Sequence, residues 1–310
     1  MFLDIMGFMG AILVRAALFL MLILLGYFLK RVGVLSKNDG VTLSKVVLNI
    51  TLPAAILISF RNFEFSLKYL LIPLLSAAAI CVMLAAGFLL TRGKERNQRV
   101  FYMLALPAYN IGNFTLPFVS SFLGAQGVIG SCLFDMGNSP FCLGLDYTFT
   151  TMAVGESAGE KVWKQLLSVF KRPAFTTYCL MMVLSVLHLD LPEVVFDFAA
   201  LLSPANAPMA MLMIGLMLEF RFDRTKLKDA VTVNVLRLLL SVVVAFIAFN
   251  FMPFPYEVRK AVAITAFAPI SSAGPAYIAQ MKGDIALAGF AGTLSIVIAL
   301  IIIPVLIALL

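Results

Sequence analysis

Along this chain, long blocks of apolar residues alternate with short stretches rich in charge, glycine and proline. A helix that crosses a bilayer needs roughly 20 mostly apolar residues. Blocks of that length predict helices at 8–29, 41–60, 66–90, 99–122, 126–152, 172–188, 193–218, 229–252, 258–281 and 285–309. The pattern predicts an all-α integral membrane protein with ten transmembrane helices. The first block follows a start that contains Asp4 but has no basic region and no small-residue cleavage site, so it reads as a retained helix.

Composition supports this picture. Only 13% of the 310 residues are charged, 62% are hydrophobic and the mean hydropathy is +1.03. Soluble domains carry about a quarter charged residues, so this chain cannot cover itself with a solvated surface. A net charge of +7 in a soluble protein would suggest nucleic acid. Here the charge is sorted by side. Loops after the odd-numbered predicted helices hold sixteen Lys and Arg, whereas those on the other side hold four, Arg61, Lys68, Arg259 and Lys260. By the positive-inside rule the first set is cytoplasmic, which puts both termini outside a cell (plasma) membrane. The expected surroundings are a lipid bilayer, with no nucleic-acid partner. Cys81, Cys132, Cys142 and Cys179 lie within apolar blocks without metal-ligand spacing and read as small buried hydrophobes.

The longest loop, 153–171, divides the chain into 1–152 and 172–310. Basic and apolar residues between Lys161 and Lys171 have helical spacing, so this cytoplasmic linker reads either as a short interfacial helix or as a plain connector. The flanking parts echo each other. Pro53 precedes Glu64-Phe65 by eleven residues, and Pro208 precedes Glu219-Phe220 by the same number. Pro117 and Gly124, and Pro275 and Gly283, form a second echo in the fourth and ninth predicted helices. Five helices per part is an odd number, so a duplicated second part must enter the membrane upside down. That gives two inverted five-helix repeats, an arrangement common among secondary transporters.

The fourth and ninth helices are also the irregular ones. The fourth contains Pro107, Gly112 and Pro117 around Asn110 and Asn113, and the ninth contains Pro269, Gly274 and Pro275 around Ser271 and Ser272. Proline removes a backbone donor and clashes with the preceding turn. Backbone groups freed in this way are tolerated in a membrane only when buried in protein or lining a wet cavity. Paired Gly/Pro interruptions in corresponding helices therefore mark a substrate site, and half-helix N-termini suit an anion. Asn49 and Thr51 in the second helix, and Asn206 in the seventh, add uncharged hydrogen-bonding groups at similar depth. Such amides can bind a carboxylate without burying a protein charge. They can equally tie helices together.

The predicted fifth helix carries Asp135, Asn138, Cys142 and Asp146 along one face. An intramembrane carboxylate suggests coupling to a proton or cation, so Asp135 and Asn138 are candidates for that role, and a structural carboxylate is the alternative. Arg15 and Arg237 could pair with it or snorkel to an interface. Enzymatic readings fare poorly. His188 is the lone histidine, and Asp135 and Asp146 lie about 16 Å apart on one helix at 1.5 Å per residue, too far to share a proton. No nucleotide-binding motif, filter-like repeat or ring of charges is present, which disfavours a pump and a channel.

The stretch from Leu43 to Leu57, the preceding Gly26 to Leu35, the Asn/Pro pattern of the fourth helix and the run from Pro208 to Leu218 resemble the auxin efflux carrier family. The resemblance implies ten helices divided between a scaffold and a transport domain, with the fourth and ninth crossing at their broken prolines. It implies an anionic, carboxylate-bearing substrate moved by elevator-like alternating access. The positions matching the family's carboxylate-binding asparagines are Asn110 or Asn113, and Asn206. The short linker points to a bacterial-type permease. The fold is similar to that of bile acid sodium symporters. No cofactor is expected, a coupling ion (Na+ or H+) stays open, and so does a homodimer.

Overall fold

The computed structural model describes residues 2–156, 167–219 and 224–310. Within them the protein is helical, apart from one isolated antiparallel bridge between Tyr109 and Ile270. Five stretches are long and apolar enough to cross a membrane: Lys37–Phe60, Leu67–Leu90, Glu193–Met217, Arg224–Phe251 and Ile285–Leu309. The helices are α1 (Phe2–Arg31), α2 (Lys37–Val46), α3 (Leu52–Phe60), α4 (Leu71–Leu90), α5 (Arg96–Ala105), α6 (Leu116–Phe122), α7 (Gly124–Pro140) and α8 (Asp146–Ala153). They continue as α9 (Pro173–Leu187), α10 (Glu193–Leu202), α11 (Asn206–Met217), α12 (Leu227–Phe251), α13 (Tyr256–Thr265), α14 (Gly274–Gln280) and α15 (Ile285–Leu309).

Prolines decide where apolar blocks stay straight. Pro53 and Pro117 each lack an N–H, and their rings crowd the carbonyls four residues back, on Asn49 and Asn113. A wide π turn precedes each, at Val47–Thr51 and Ile111–Thr115. The block predicted as one helix at 126–152 is also interrupted. It passes from Pro140 through a wide turn at Phe141–Leu145, where Gly144 adopts non-helical backbone, before α8 begins at Asp146. The predicted helix 193–218 is likewise split, by a tight turn at Ser203–Ala205 around Pro204. Most of the predicted interfacial helix at 161–171 lies outside the described residues; its last residues, Val169–Lys171, form a single turn leading to α9.

Large apolar side chains are exposed in helical stripes, such as Leu18, Met21, Leu24 and Phe28 on α1 and Leu239, Val242 and Phe246 on α12. Stripes of this kind are the lipid-facing sides of membrane helices. Inside, helices pack in two sets. In one, α1 and α2 lie against α11, and α3 lies against α9 and α10. In the other, α7 packs between α4 and α13, and α12 joins α13 to α15. Two hydrophobic clusters run across both sets: one gathers Ile23, Met211 and Ile214 with Phe118, Ile264 and Ile303, and the other gathers Phe101, Leu133 and Val262 with Ile56, Tyr178 and Phe196.

The α1–α11 contact is close enough to exclude side chains. A Cβ on Gly215 would lie 2.0 Å from the Ile23 carbonyl oxygen, and one on Gly26 would lie 2.3 Å from that of Leu212. Lipid offers no hydrophobic drive between helices, so close backbone approach and its van der Waals contact hold them together. Gly215→Val should therefore destabilise the protein by roughly 1–3 kcal/mol, the usual effect of overpacking. A Cβ on Gly289 would meet nothing within 4 Å, so Gly289→Ala should not lower stability. Thermal unfolding of the purified protein checks both; equal melting temperatures for wild type and Gly215→Val would refute the close packing.

Candidate functional site

The two proline-bracketed blocks are broken. Helix α5 stops at Ala105, and the chain runs unwound through Pro107 to Asn110; α13 stops at Thr265, and the chain runs unwound to Ala273. Pro107 and Pro269 lie in the unwound segments, while Pro117 and Pro275 sit in the first turn of α6 and α14, where a missing N–H is harmless. The segments meet at the Tyr109–Ile270 bridge, where the Asn110 N–H donates to the Pro269 carbonyl at 2.9 Å. Gly274 lets the second segment pass the end of α5, since a Cβ there would lie 3.0 Å from the Leu104 carbonyl oxygen.

Broken helices expose backbone groups that a membrane cannot solvate, and each side of this junction supplies partners. Arg237 on α12, 4% exposed, spans both breaks. Its Nη1 donates to the carbonyls of Leu106, Pro107 (2.9 Å) and Ala108 (3.1 Å). Its Nη2 donates to those of Ala268 (3.1 Å) and Pro269 (3.3 Å), and the guanidinium lies 5.1 Å from the Tyr109 ring centroid. Ala108 adopts left-handed backbone (φ 50°), uncommon for a non-glycine residue, which turns this segment toward the arginine. Ser241 donates to the Ala266 carbonyl at 2.5 Å, and Ser295 accepts from the Ile270 N–H at 2.8 Å. Sequence patterning left Arg237 as a partner for an aspartate or a snorkelling residue. Its actual role depends on depth and orientation, which an apolar block does not encode.

Asp135 has a different set of partners. Its carboxylate accepts from Asn138 Nδ2 (2.9 Å), Ser139 Oγ (3.1 Å) and Tyr178 OH (3.3 Å). Asn138 in turn grips the first break twice, accepting from the Tyr109 N–H at 2.8 Å and donating to the Tyr109 carbonyl at 3.0 Å. Asp135 thus orients the amide that orients the break. The expectation that Asp135, Asn138, Cys142 and Asp146 share one face is corrected. The first three line a cavity, whereas the interruption at 141–145 carries Asp146 away, where it is buried with no donor to its Oδ1.

Two cavities, of about 330 and 710 Å³, adjoin the junction, and Asn110, Asn113, Ser271 and Ser272 line both. The side chains of Asn110 and Ser272 carry no hydrogen bond among the described residues. Asn113 Oδ1 accepts from Ser44 at 3.1 Å, and Ser271 Oγ lies 2.8 Å from Cys142 Sγ. Gly112 and Asn49 line the smaller cavity, although Asn49 spends its Nδ2 on the Lys45 carbonyl at 2.7 Å. Asn206 is elsewhere: it is buried on α11, accepts from the Thr51 hydroxyl at 3.1 Å and lines neither cavity. Among the described residues, no three His, Cys, Asp or Glu side chains come together as a metal site.

A buried charge that loses its partners is strongly destabilising, and the converse holds for carbonyls stripped of their cation. Arg237→Ala should remove about 3–5 kcal/mol of stability. Arg237→Lys should fall between that variant and wild type, because an ammonium cannot reproduce the forked geometry that reaches both breaks. Thermal unfolding in detergent checks the order, and an Arg237→Ala protein as stable as wild type would show that the arginine does not hold the junction.

Residues 11–155 match the sequence profile of the family described as membrane transport protein. An uncharacterized transporter from Methanothermobacter thermautotrophicus is 29% identical over 230 residues, which cover 73% of this chain and 74% of the relative. Both findings agree with the resemblance to auxin efflux carriers carried by the residues around Asn49, Pro53 and Asn110. With apolar helices long enough to span a bilayer, this chain is a multi-pass membrane protein, and its residues 11–155 are similar to the membrane transport protein family.

Proposed function

We propose that the protein is a secondary carrier of a small organic anion, and that the crossing of the two unwound segments is its substrate site. The observation that carries this reading is the set Asn110, Asn113, Ser271 and Ser272, shared by two cavities at the one place where the helical chain is unwound twice. Two of these four side chains have free hydrogen-bonding capacity, and neutral amides and hydroxyls can hold a carboxylate without the penalty of a buried protein charge. Cavities of this size fit small molecules. None of this calls for catalysis, so we read the chain as a transporter and not an enzyme.

The same reading takes the helical stretches as ten crossings in two inverted five-helix repeats, with breaks in the fourth and ninth. The two packing sets support a division into a scaffold (α1–α3 with α9–α11) and a moving unit (α4–α8 with α12–α15), as elevator-like alternating access requires. With the charge-rich loops in the cytoplasm of the cell membrane and both termini outside, the lining residues Lys37, Lys45, Arg172 and Glu219 lie at cytoplasmic helix ends. Both cavities would then face inward. Arg237 already supplies a positive charge to the carbonyl ends of the broken helices, so we propose that no sodium ion is needed there.

Reconstituted protein should show saturable uptake and counterflow of a small carboxylate, with flux unchanged when choline replaces sodium. Asn110→Ala and Asn113→Ala should each raise KM about tenfold, the loss expected for one hydrogen bond to a charged group. Uptake that rises linearly without counterflow would indicate a channel. Unchanged KM in both variants would move the site away from the crossing.

A further inference from the structure

Neutral donors at the crossing can orient an anion, but they do not balance its charge. The buried cation of the junction, Arg237, is fully engaged with five carbonyls and lines neither cavity. Charge for the substrate must come from the cavity walls, and the two cavities differ there. In the larger, Lys37 Nζ lies 2.9 Å from the Glu219 carboxylate, so that pair is neutral. In the smaller, the lining cations are Lys45 and Arg172, and neither has an ion pair or a side-chain hydrogen bond among the described residues. The acid there, Asp135, is satisfied by three donors. Lys45 stands in the last turn of α2 and Arg172 immediately before α9, so the two come from opposite halves of the chain.

We infer that Lys45 and Arg172 are the anion-capturing residues of this carrier, and that the smaller cavity, not the larger, receives the carboxylate. The inference rests on the carrier reading above and assigns the step before the substrate reaches Asn110 and Ser272. Uncompensated cations of this kind attract an anion into a low-dielectric cleft and raise its local concentration. Because each half supplies one, a bound carboxylate bridges α2 and α9 as well as sitting against the breaks. The positive-inside rule also places cations at cytoplasmic helix ends. A loop cation that lines neither cavity, such as Arg92, separates the two explanations.

The test uses the full-length protein in detergent and in proteoliposomes. Sodium acetate, benzoate and succinate are screened for a rise in melting temperature, and the salt giving the largest rise serves as the probe. Lys45→Gln and Arg172→Gln should each weaken probe binding and raise KM about tenfold, in line with loss of one charge-assisted contact. The melting temperature without probe should hold, since both side chains are exposed. Lys45→Arg and Arg172→Lys should restore most of the affinity, and Arg92→Gln and Lys37→Gln should change it less than twofold. Raising salt should weaken wild-type binding more than that of the double variant. If Lys45→Gln and Arg172→Gln bind as wild type while Asn110→Ala does not, the capture role is overturned and the crossing site stands. If Lys37→Gln is the variant that fails, the larger cavity receives the anion and the assignment is overturned. If no salt shifts the wild-type protein, the carboxylate reading falls and this inference falls with it.

Discussion

The structure depends on one buried guanidinium. A helix ends with unpaired carbonyls and a partial negative charge of about half a unit. Here the C-terminal ends of α5 and α13 run into the same place within the membrane, where nothing in the lipid could satisfy or separate them. Arg237 is the compensation: five carbonyls from two breaks converge on its two terminal nitrogens. The interaction is mutual, because an isolated arginine at this depth would itself be unstable by several kcal/mol. Each partner makes the other tolerable, and neither break could persist alone. The remaining links, from Asn138 to Tyr109, Ser295 to Ile270 and Ser241 to Ala266, fix orientation around a junction the arginine has made possible.

The extent to which the sequence reveals this follows from what each residue type constrains locally. Pro107, Pro117, Pro269 and Pro275 act on their own turns whatever surrounds them, so the breaks were readable, and with them the polar residues that the structure places beside two cavities. The start of α9 and the start of α15 were readable too, since Lys171-Arg172 and Gly283-Asp284 punctuate the apolar runs. Arg237 was not, because its partners lie at 106–108 and 268–269, and no periodicity links them. Asp146 was misread because face arithmetic assumes an unbroken helix, and Pro140 with Gly144 breaks that assumption. Asn206 was chosen by its depth and its neighbouring prolines. Its geometry turns on Thr51, a contact between distant segments that only the fold creates.

Asp135 acts on the first break at one remove. With three donors on its carboxylate, it holds Asn138, and Asn138 holds both backbone groups of Tyr109. This chain of hydrogen bonds links the position of α7 to that of the unwound segment. It ties α7 to the first break, so a shift of α7 carries the Asn110–Asn113 segment with it. On the proposed carrier reading, the packing of α7 between α4 and α13 would let that set of helices move as one.

Charge is the remaining constraint, and it separates two tasks that one residue could not perform together. A cation that must neutralise five carbonyls cannot also release and bind a substrate, since each turnover would strand the broken ends. On the proposed carrier reading, the junction keeps its charge locked and would offer a substrate only neutral groups, Asn110 and Ser272 among them. That arrangement would suit a site whose floor binds weakly and keeps its shape, with stronger attraction placed at the walls, where it would be lost if the two packing sets moved relative to each other, as the proposed mechanism requires. Lys45 and Arg172 are on the set opposite to α7, so movement between the sets would pull the floor away from the cations. An anion held by both would be released by the same displacement that exposes it to the other side.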